Sequence, residues 1–253
     1  MSEQIEGRNP VLEALRAGHE MIRIYIVKGE TENGANARTK DILGLARKQG
    51  IPVITVDEPA LRRMAQTRNH QGVIAIAAEW KYAAVADILR QSEIRKEDPF
   101  ILVLDGVEDP QNFGAIIRTA EAAGVHGIII GEHRAVGLNA TVSRASAGAI
   151  EHMPVARVTN LTRAIEELKE KGLWFTGTDM EGPVGMEQAN LTGPIGLVMG
   201  GEGKGISRLV GEHCDQLVRI PMWGKINSLN VSVATGIFLY EIRRQRVSQA
   251  RSC

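Results

Sequence analysis

The chain has 253 residues, enough for two modest domains or one large one. Hydrophobic residues make up 43% of it, which supports a buried core and excludes a disordered chain, and no apolar run reaches the roughly eighteen residues a membrane span needs. Thirty Lys and Arg balance thirty Asp and Glu, so charge alone does not select a nucleic acid over a small molecule as partner.

The segment from Met1 to Arg8 is polar and lacks the apolar middle of a signal peptide, so a cytoplasmic protein is expected. Asn9-Pro10 reads as an N-cap with proline in the first helical position, opening a helix over Val11 to Arg16 that stops at Gly18. Ile22, Ile24 and Ile26 alternate with other residues as in a strand. A polar stretch with the turn signal Asn33-Gly34 follows. Then come a helix over Lys40 to Lys48, a strand over Ile51 to Val56, a helix over Pro59 to Ala65 capped by Asp57, and a strand over Gly72 to Ala78. The order α-β-α-β-α-β predicts a small layered domain over 1–79. Residues 80–98, which include the charged run Arg95-Lys96-Glu97-Asp98, read as a solvated linker.

A second domain, 99–253, opens on the apolar run Phe100 to Asp105, the pattern of a strand buried on both faces. A helix over Asn112 to Ala123 carries Phe113, Ile116, Ile117 and Ala120 on one face. Strands follow at Gly127 to Ile130, Val155 to Val158, Leu173 to Thr178, Ile195 to Met199 and Leu217 to Ile220. Helices are expected at Thr141 to Ala149, Leu161 to Lys171, Gly205 to Val210 and Leu229 to Arg244. This alternation predicts an α/β fold with a mainly parallel sheet. Arg243, Arg244, Arg246 and Arg251 crowd the C-terminal tail, and Arg8, Arg16, Arg62, Arg63 and Arg68 are spread through the first domain; both sets read as a solvated basic surface. Cys214 and Cys253 form no C-x-x-C pair, so no metal site is expected, and Cys214 reads as a small buried hydrophobe.

No G-x-G-x-x-G follows the first strand of the second domain, and Gly200-Gly201-Glu202-Gly203-Lys204-Gly205 lacks the spacing of a phosphate-binding P-loop. No zinc-protease or nucleophile-elbow motif is present. Three loops remain, each at the carboxyl end of a predicted strand, where open α/β sheets bind ligands. The first is Asp109 to Gly114, leading into a helix that bears Arg118. The second is Met199 to Gly205, with four glycines in Gly200–Gly205 that permit close backbone approach to a ligand. The third runs from Ile220 through Pro221, Trp223, Gly224, Asn227 and Ser228 to Asn230. Asn112 and Ser228 are each also plausible helix caps, and Arg118 is equally readable as a solvated arginine. Asn230, placed in the first turn of the last helix, needs a partner if buried.

Taken together, Asp109-Pro110-x-Asn112-x-Gly114-x-x-x-Arg118, Gly200-x-Glu202-x-x-Gly205 and Ile220-Pro221-x-x-Gly224 through Ser228-Leu229-Asn230-Val231-Ser232 resemble the motifs of the SpoU (TrmH) branch of the SPOUT methyltransferases. Gly7-Arg8-Asn9-Pro10-Val11 and His70-Gln71-Gly72-Val73 resemble the ends of the ribosomal-protein-like RNA-binding domain of RlmB-type 23S rRNA guanosine ribose methyltransferases. Trp223 departs from the pattern, which favours a small residue there. The resemblance implies a trefoil knot in the second domain, a homodimer with its active site at the subunit interface, and S-adenosyl-L-methionine as cofactor. It implies Met199, Gly200, Gly205, Ile220, Pro221 and Leu229 as cofactor contacts. Asn112, Arg118, Glu202, Ser228 and Asn230 would be the catalytic set, and Arg8, Asn9, His70 and Gln71 the RNA contacts.

The expected reaction is methylation of a ribose 2′-hydroxyl in 23S rRNA, free or in an assembling large subunit, at a guanosine. Alternatives within the same branch are a tRNA ribose methyltransferase and a resistance enzyme acting on an rRNA adenosine. An alternative of another class is a non-catalytic RNA-binding protein of ribosome assembly, against which the intact Asn112, Arg118, Glu202 and Asn230 argue.

Overall fold

The computed structural model describes residues 2–28, 36–67, 69–226 and 228–252, the last three of these without their side chains. The Asn33-Gly34 turn, Arg68, Asn227, Cys253 and the Arg251 side chain lie outside what is described. The chain divides into two compact units, Met1–Lys81 with Leu138–His152, and Tyr82–Gly137 with Met153–Cys253.

The first unit contains β1 (Ser2–Glu6), α1 (Arg8–Arg16), β2 (Met21–Val27), α2 (Ala37–Lys48), β3 (Val53–Val56), α3 (Glu58–Met64) and β4 (Val73–Ala78). Its four strands lie in the order β1-β4-β2-β3. β1 is absent from the sequence reading because Ser-Glu-Gln-Ile-Glu is too polar to signal a strand. It is held by antiparallel pairing with β4, where Ile5 faces Ala75 and is fully buried. α1 starts at Arg8 rather than after Asn9, because Gly7 takes the cap position. Gly7 has φ 100°, a conformation glycine adopts without Cβ cost. Glu6 is buried and collects hydrogen bonds from Gln4 Nε2, Gln66 N–H, Thr67 N–H and Thr67 Oγ1. Burial pushes its carboxyl upward, but these donors, Thr67 first, outweigh that and hold it below the usual range.

The second unit contains α4 (Val85–Arg95), β5 (Phe100–Asp105), α5 (Pro110–Ala122) and β6 (Gly127–Gly131). The chain then enters the first unit as α6 (Ala140–Ala145) and a single 3-10 turn, Ala149–Glu151. It continues in the second unit as β7 (Val155–Val158), α7 (Leu161–Lys169), β8 (Trp174–Thr178), β9 (Val184–Gly185), β10 (Ile195–Gly200), α8 (Arg208–Glu212), β11 (Gln216–Arg219) and α9 (Val231–Ser252). α4 occupies the stretch expected to be a linker. Its Ile88 is fully buried beside Gly127 of β6, where an added Cβ would press on the isoleucine at 2.5–2.7 Å. The run Arg95 to Asp98 is exposed, as its charge suggests.

The seven strands lie in the order β7-β6-β5-β10-β8-β11-β9, and every pairing among them is parallel. Every residue of β5 is buried, which explains its unbroken apolar run. The chain leaves β5 in one direction through β6 and β7, and later fills the other side with β8, β10 and β11. The β5–β10 pair is therefore the point where strand order reverses, the place where such sheets bind ligands.

Two of the C-terminal tail arginines, Arg243 and Arg246, bind backbone carbonyls and do not form a solvated basic surface. Arg243 donates from Nε and Nη2 to the carbonyls of Ala123 and Gly124 at the end of α5. Arg246 donates to the carbonyls of Asp98, Pro99 and Gly193, and its guanidinium lies 4.9 Å from the Phe100 ring centre. Burial lowers the Arg246 guanidinium to about 10. Arg244 pairs with Glu241. The Arg243 and Arg246 contacts tie α9 to the end of α5 and to the segments entering β5 and β10, spending donors that RNA would otherwise find. Cys214 is partly buried against the core, and burial, with the Asp215 carboxylate, pushes its thiol up to about 12. It is an inert packing residue.

Candidate active site

The three loops converge because their strands do. Gly200, the last residue of β10, pairs with Asp105, the last of β5. Asp105 then clasps the glycine loop at both ends: its carbonyl accepts from Gly201 N–H at 2.8 Å and its carboxylate from Ser207 N–H at 2.7 Å. Inside that clasp the loop doubles back, with Gly205 N–H bonded to the Gly201 carbonyl. A Cβ at Gly201 would collide with the Gly106 carbonyl, and one at Gly200 with the backbone of Gly205 and Ile206. Backbone packing therefore demands glycine at both positions.

Helix capping sets the polar side chains. Asp109, not Asn112, caps α5, accepting from Asn112 N–H at 2.7 Å. Asn230 lies just before α9, not within its first turn, and its Oδ1 accepts from Ser232 N–H and Oγ. The cap alternatives left open for Asn112 and Ser228 are thus resolved: Asp109 and Asn230 Oδ1 take the caps, leaving the Asn112 side chain and the Asn230 amide nitrogen free for other partners. Asn230 Nδ2 donates to Asn112 Oδ1 at 2.9 Å and to Glu202 Oε1 at 2.8 Å, and Asn112 Nδ2 donates to the same Glu202 oxygen at 3.0 Å. One residue from each loop closes this triangle. Oε1 of Glu202 is taken twice, and Oε2 has no partner among the described residues.

Two adjoining cavities share the glycine loop in their lining. The larger, about 630 Å³, is lined by Met199, Gly200, Gly205, Ile220, Ser228 and Leu229 among others. Five of the six residues expected to hold the cofactor are there, and Pro221 is the exception. Ser228 belongs to this cavity and not to the Asn112–Glu202–Asn230 triangle. The smaller cavity, about 430 Å³, is lined by Asp105, Glu108, Asn112 and Arg134 among others. Glu202 and Lys204 line both.

A model of the SpoU rRNA methylase family matches residues 99–240, and a model for the RNA 2′-O ribose methyltransferase substrate-binding domain matches residues 4–83. The chain belongs to the SpoU rRNA methylase family. It is an RNA 2′-O-ribose methyltransferase by that membership. It is 45% identical over 249 residues to the putative TrmH family tRNA/rRNA methyltransferase YacO of Bacillus subtilis, spanning 97% of this chain and 98% of that one. Among solved structures it resembles the SpoU methyltransferase AviRb of Streptomyces viridochromogenes in complex with AdoMet, at 25% identity and TM-score 0.81, covering 98% of this chain and 91% of that one. The TrmH/SpoU tRNA modifying enzyme of A. aeolicus matches at 31% identity and TM-score 0.56, covering 66% of this chain and 87% of that one.

In this methylase Arg118 stands apart from the triangle. It is exposed on α5, lines neither cavity, and has no hydrogen bond or ion pair among the described residues. The expected RNA contacts of the first unit do meet, since the Gln71 side chain accepts from Arg8 N–H at 3.2 Å and Gly7 N–H bonds the Val73 carbonyl. Arg8 and Asn9 are half-buried and Gln71 is exposed. His70 is 7% exposed and its Nδ1 accepts from Gly72 N–H, which shapes the turn beside Gln71. Sequence reasoning missed Arg134 and Lys204, which line the smaller cavity. Neither lies at a motif position, and only the meeting of the β5, β6 and β10 loops reveals them.

Proposed function

We propose that the methylase transfers a methyl group from S-adenosyl-L-methionine to the 2′-hydroxyl of a guanosine in 23S rRNA. The observation that carries the donor assignment is the larger cavity. Its Met199, Ile220 and Leu229 give an apolar lining, and the glycine backbone at its rim can approach an adenosine and a carboxylate without side-chain obstruction. Its volume suits a ligand of that size. When bound there, the cofactor supplies a methyl group activated on a sulfonium. The chain's own task is then to hold the ribose hydroxyl in line and take its proton. Asn112 and Asn230 fix Glu202 through Oε1, which leaves Oε2 as the acceptor this cluster offers for that proton. Positioning of this kind can supply roughly 7–11 kcal/mol of barrier reduction in favourable cases.

The exposed Arg118 supports a homodimer. Val233, Tyr240 and Val247 form an exposed stripe at seven-residue spacing on α9, the helix that packs on α5. A second copy seated on that stripe would set Arg118 of one subunit against the site of the other, where its fork grips phosphate beside the ribose. Free guanidinium is a reluctant base, so this role is placement before proton removal. Full single-turnover methyl transfer by Arg118→Ala would remove Arg118 from the reaction, and the expected result is a deep loss only partly restored in Arg118→Lys.

Residues 1–79 are read as the RNA-substrate-binding domain and 99–253 as the knotted methyltransferase domain, with the segment Leu138–His152 packed into the first compact unit. The TrmH/SpoU tRNA modifying enzyme of A. aeolicus matches 66% of the chain, whereas this chain carries a match to a dedicated substrate-binding domain over residues 4–83, and we take that added module to favour rRNA. Incubation with methyl-labelled cofactor and unmodified 23S rRNA or tRNA tests the choice. Label in 23S rRNA at a guanosine is expected; label confined to tRNA or to an adenosine overturns it.

A further inference from the structure

We infer that the smaller cavity receives the acceptor nucleotide and that Arg134 holds a phosphate of the RNA strand there. This rests on reading the chain as an RNA ribose methyltransferase. The two cavities share the glycine loop as a wall, with Glu202 lining both and Asn112 only the smaller. A displacement reaction needs donor and acceptor on opposite sides of the transferred group. Two adjoining cavities that share Gly201, Glu202, Lys204 and Gly205 put the proton-handling carboxylate at their junction, where donor and acceptor can meet in line. With the apolar, glycine-rimmed cavity taken by the donor, the acceptor falls to the other.

Within that cavity the acids are mostly committed. The Asp105 carboxylate holds Ser207 N–H, the Asp109 carboxylate caps α5, and Glu202 Oε1 holds two amides. Arg134 is not committed. One terminal nitrogen stands 3.5 Å from Asp105 Oδ1, and the side chain is 66% exposed while that of Asp105 is 4% exposed. A guanidinium carries five N–H donors, and a single contact at that distance leaves most of them available. The fork geometry of those donors matches two oxygens of a phosphate.

The backbone at Arg134 is also unusual: with Gln71, Lys96 and Ala147 it is one of four described non-glycine residues at positive φ, and of these four it alone lines the smaller cavity. It has φ 55°, in the left-handed region that costs a side-chain-bearing residue about 1–2 kcal/mol. The loop that imposes this is tied on both sides, by Glu132 N–H to the Val158 carbonyl at 2.8 Å and Val136 N–H to the Val107 carbonyl at 3.1 Å. The second tie fixes it to the loop after β5, the cavity's own rim. A strained residue held by ordered neighbours beside a reactive cluster is a recurring mark of a functional position.

The rival reading is that Arg134 only neutralises Asp105 and so steadies the glycine loop. The two readings differ in a measurable way. Binding of unmodified in-vitro-transcribed 23S rRNA would be measured over a range of salt concentrations for the full chain, with Arg134→Gln and Arg134→Lys alongside. Loss of one phosphate contact weakens RNA binding and lowers the salt slope by about 0.7–0.9. Arg134→Gln is expected to show that lower slope, a KM for RNA raised about tenfold, near-normal kcat at saturating RNA, and unchanged affinity for S-adenosylmethionine. Arg134→Lys, which keeps the charge, is expected to keep the wild-type slope. A wild-type slope in Arg134→Gln, or weakened cofactor binding with the RNA slope intact, overturns the assignment. If the glutamine variant does not fold, a lowered slope in the lysine variant overturns it as well. Failure of the wild-type chain to methylate any RNA would instead count against the underlying reaction, while the binding slope still judges Arg134.

Discussion

Two polar networks in this methylase are built alike and serve opposite ends. In the second unit Asn112, Glu202 and Asn230 join three loops through one carboxylate oxygen, at the open carboxyl ends of β5 and β10. In the first unit Glu151 accepts from Trp80 Nε1 at 2.7 Å and pairs with His19 Nδ1 at 2.9 Å, while His19 Nε2 meets the Ala78 carbonyl at 2.8 Å. The difference is burial. His19 and Glu151 side chains are 9% and 4% exposed, and each polar atom is consumed by another. Glu202 is exposed and keeps one oxygen without a partner. Polar groups fully satisfied out of water specify structure, because leaving one unpaired there is costly. Polar groups pre-positioned at the surface with capacity to spare are available for chemistry.

The largest expected effect tests the exposed network. Glu202→Ala should lower single-turnover methyl transfer by on the order of 10²–10⁴-fold, the usual range for a proton-handling residue, with almost no change in melting temperature. A variant that melts early would place Glu202 with the structural networks. Glu151→Ala should do the reverse. Removing one partner of a buried pair is expected to cost roughly 3–5 kcal/mol, read by denaturant unfolding, while the folded fraction keeps its rate of transfer.

The buried network also has a pH signature. Burial alone would lower His19, but its bonds to Glu151 and the Ala78 carbonyl, with the Glu151 charge, raise it above the ordinary value. A raised histidine contributes stability that is complete below about pH 6.5 and fades as pH rises through its folded value. Glu151→Gln should flatten that fall. A second pH effect has the opposite sign. His126 is fully buried, accepts from Phe100 N–H at 2.9 Å, and is held down to about 4 chiefly by burial, then by Arg95. Its contribution is present above about pH 6.5 and is lost as pH falls toward 4, at up to about 1.4 kcal/mol per pH unit. His126→Asn should remove that acid-side slope in urea unfolding followed between pH 7 and 4.

The sheet of the second unit was legible because burial on both faces writes a continuous apolar run, as in Phe100 to Asp105 and Ile195 to Met199. β1 was not, because its pairing with β4 and the burial of Ile5 compensate for a polar sequence. The loops were legible as ligand-binding, and the motif resemblance picked out Asn112, Glu202 and Asn230. What the sequence left open was which residues cap the helices, and Asp109 and Asn230 Oδ1 answer that only in three dimensions. Arg134 was invisible because its role depends on three loops that are far apart in the chain. The tail arginines misled because a run of charges does not announce the backbone carbonyls it will bind.

The most direct measurement is of the product bond. A ribose 2′-O-methyl group blocks alkaline cleavage of the adjoining phosphodiester, so RNA methylated with labelled S-adenosylmethionine and then hydrolysed in alkali should yield the label in a resistant dinucleotide. The account predicts that product from the wild-type chain and its near absence from a Glu202→Ala variant that melts like wild type. Label released in mononucleotides, which would place the methyl on a base, or full transfer by that variant, would contradict it.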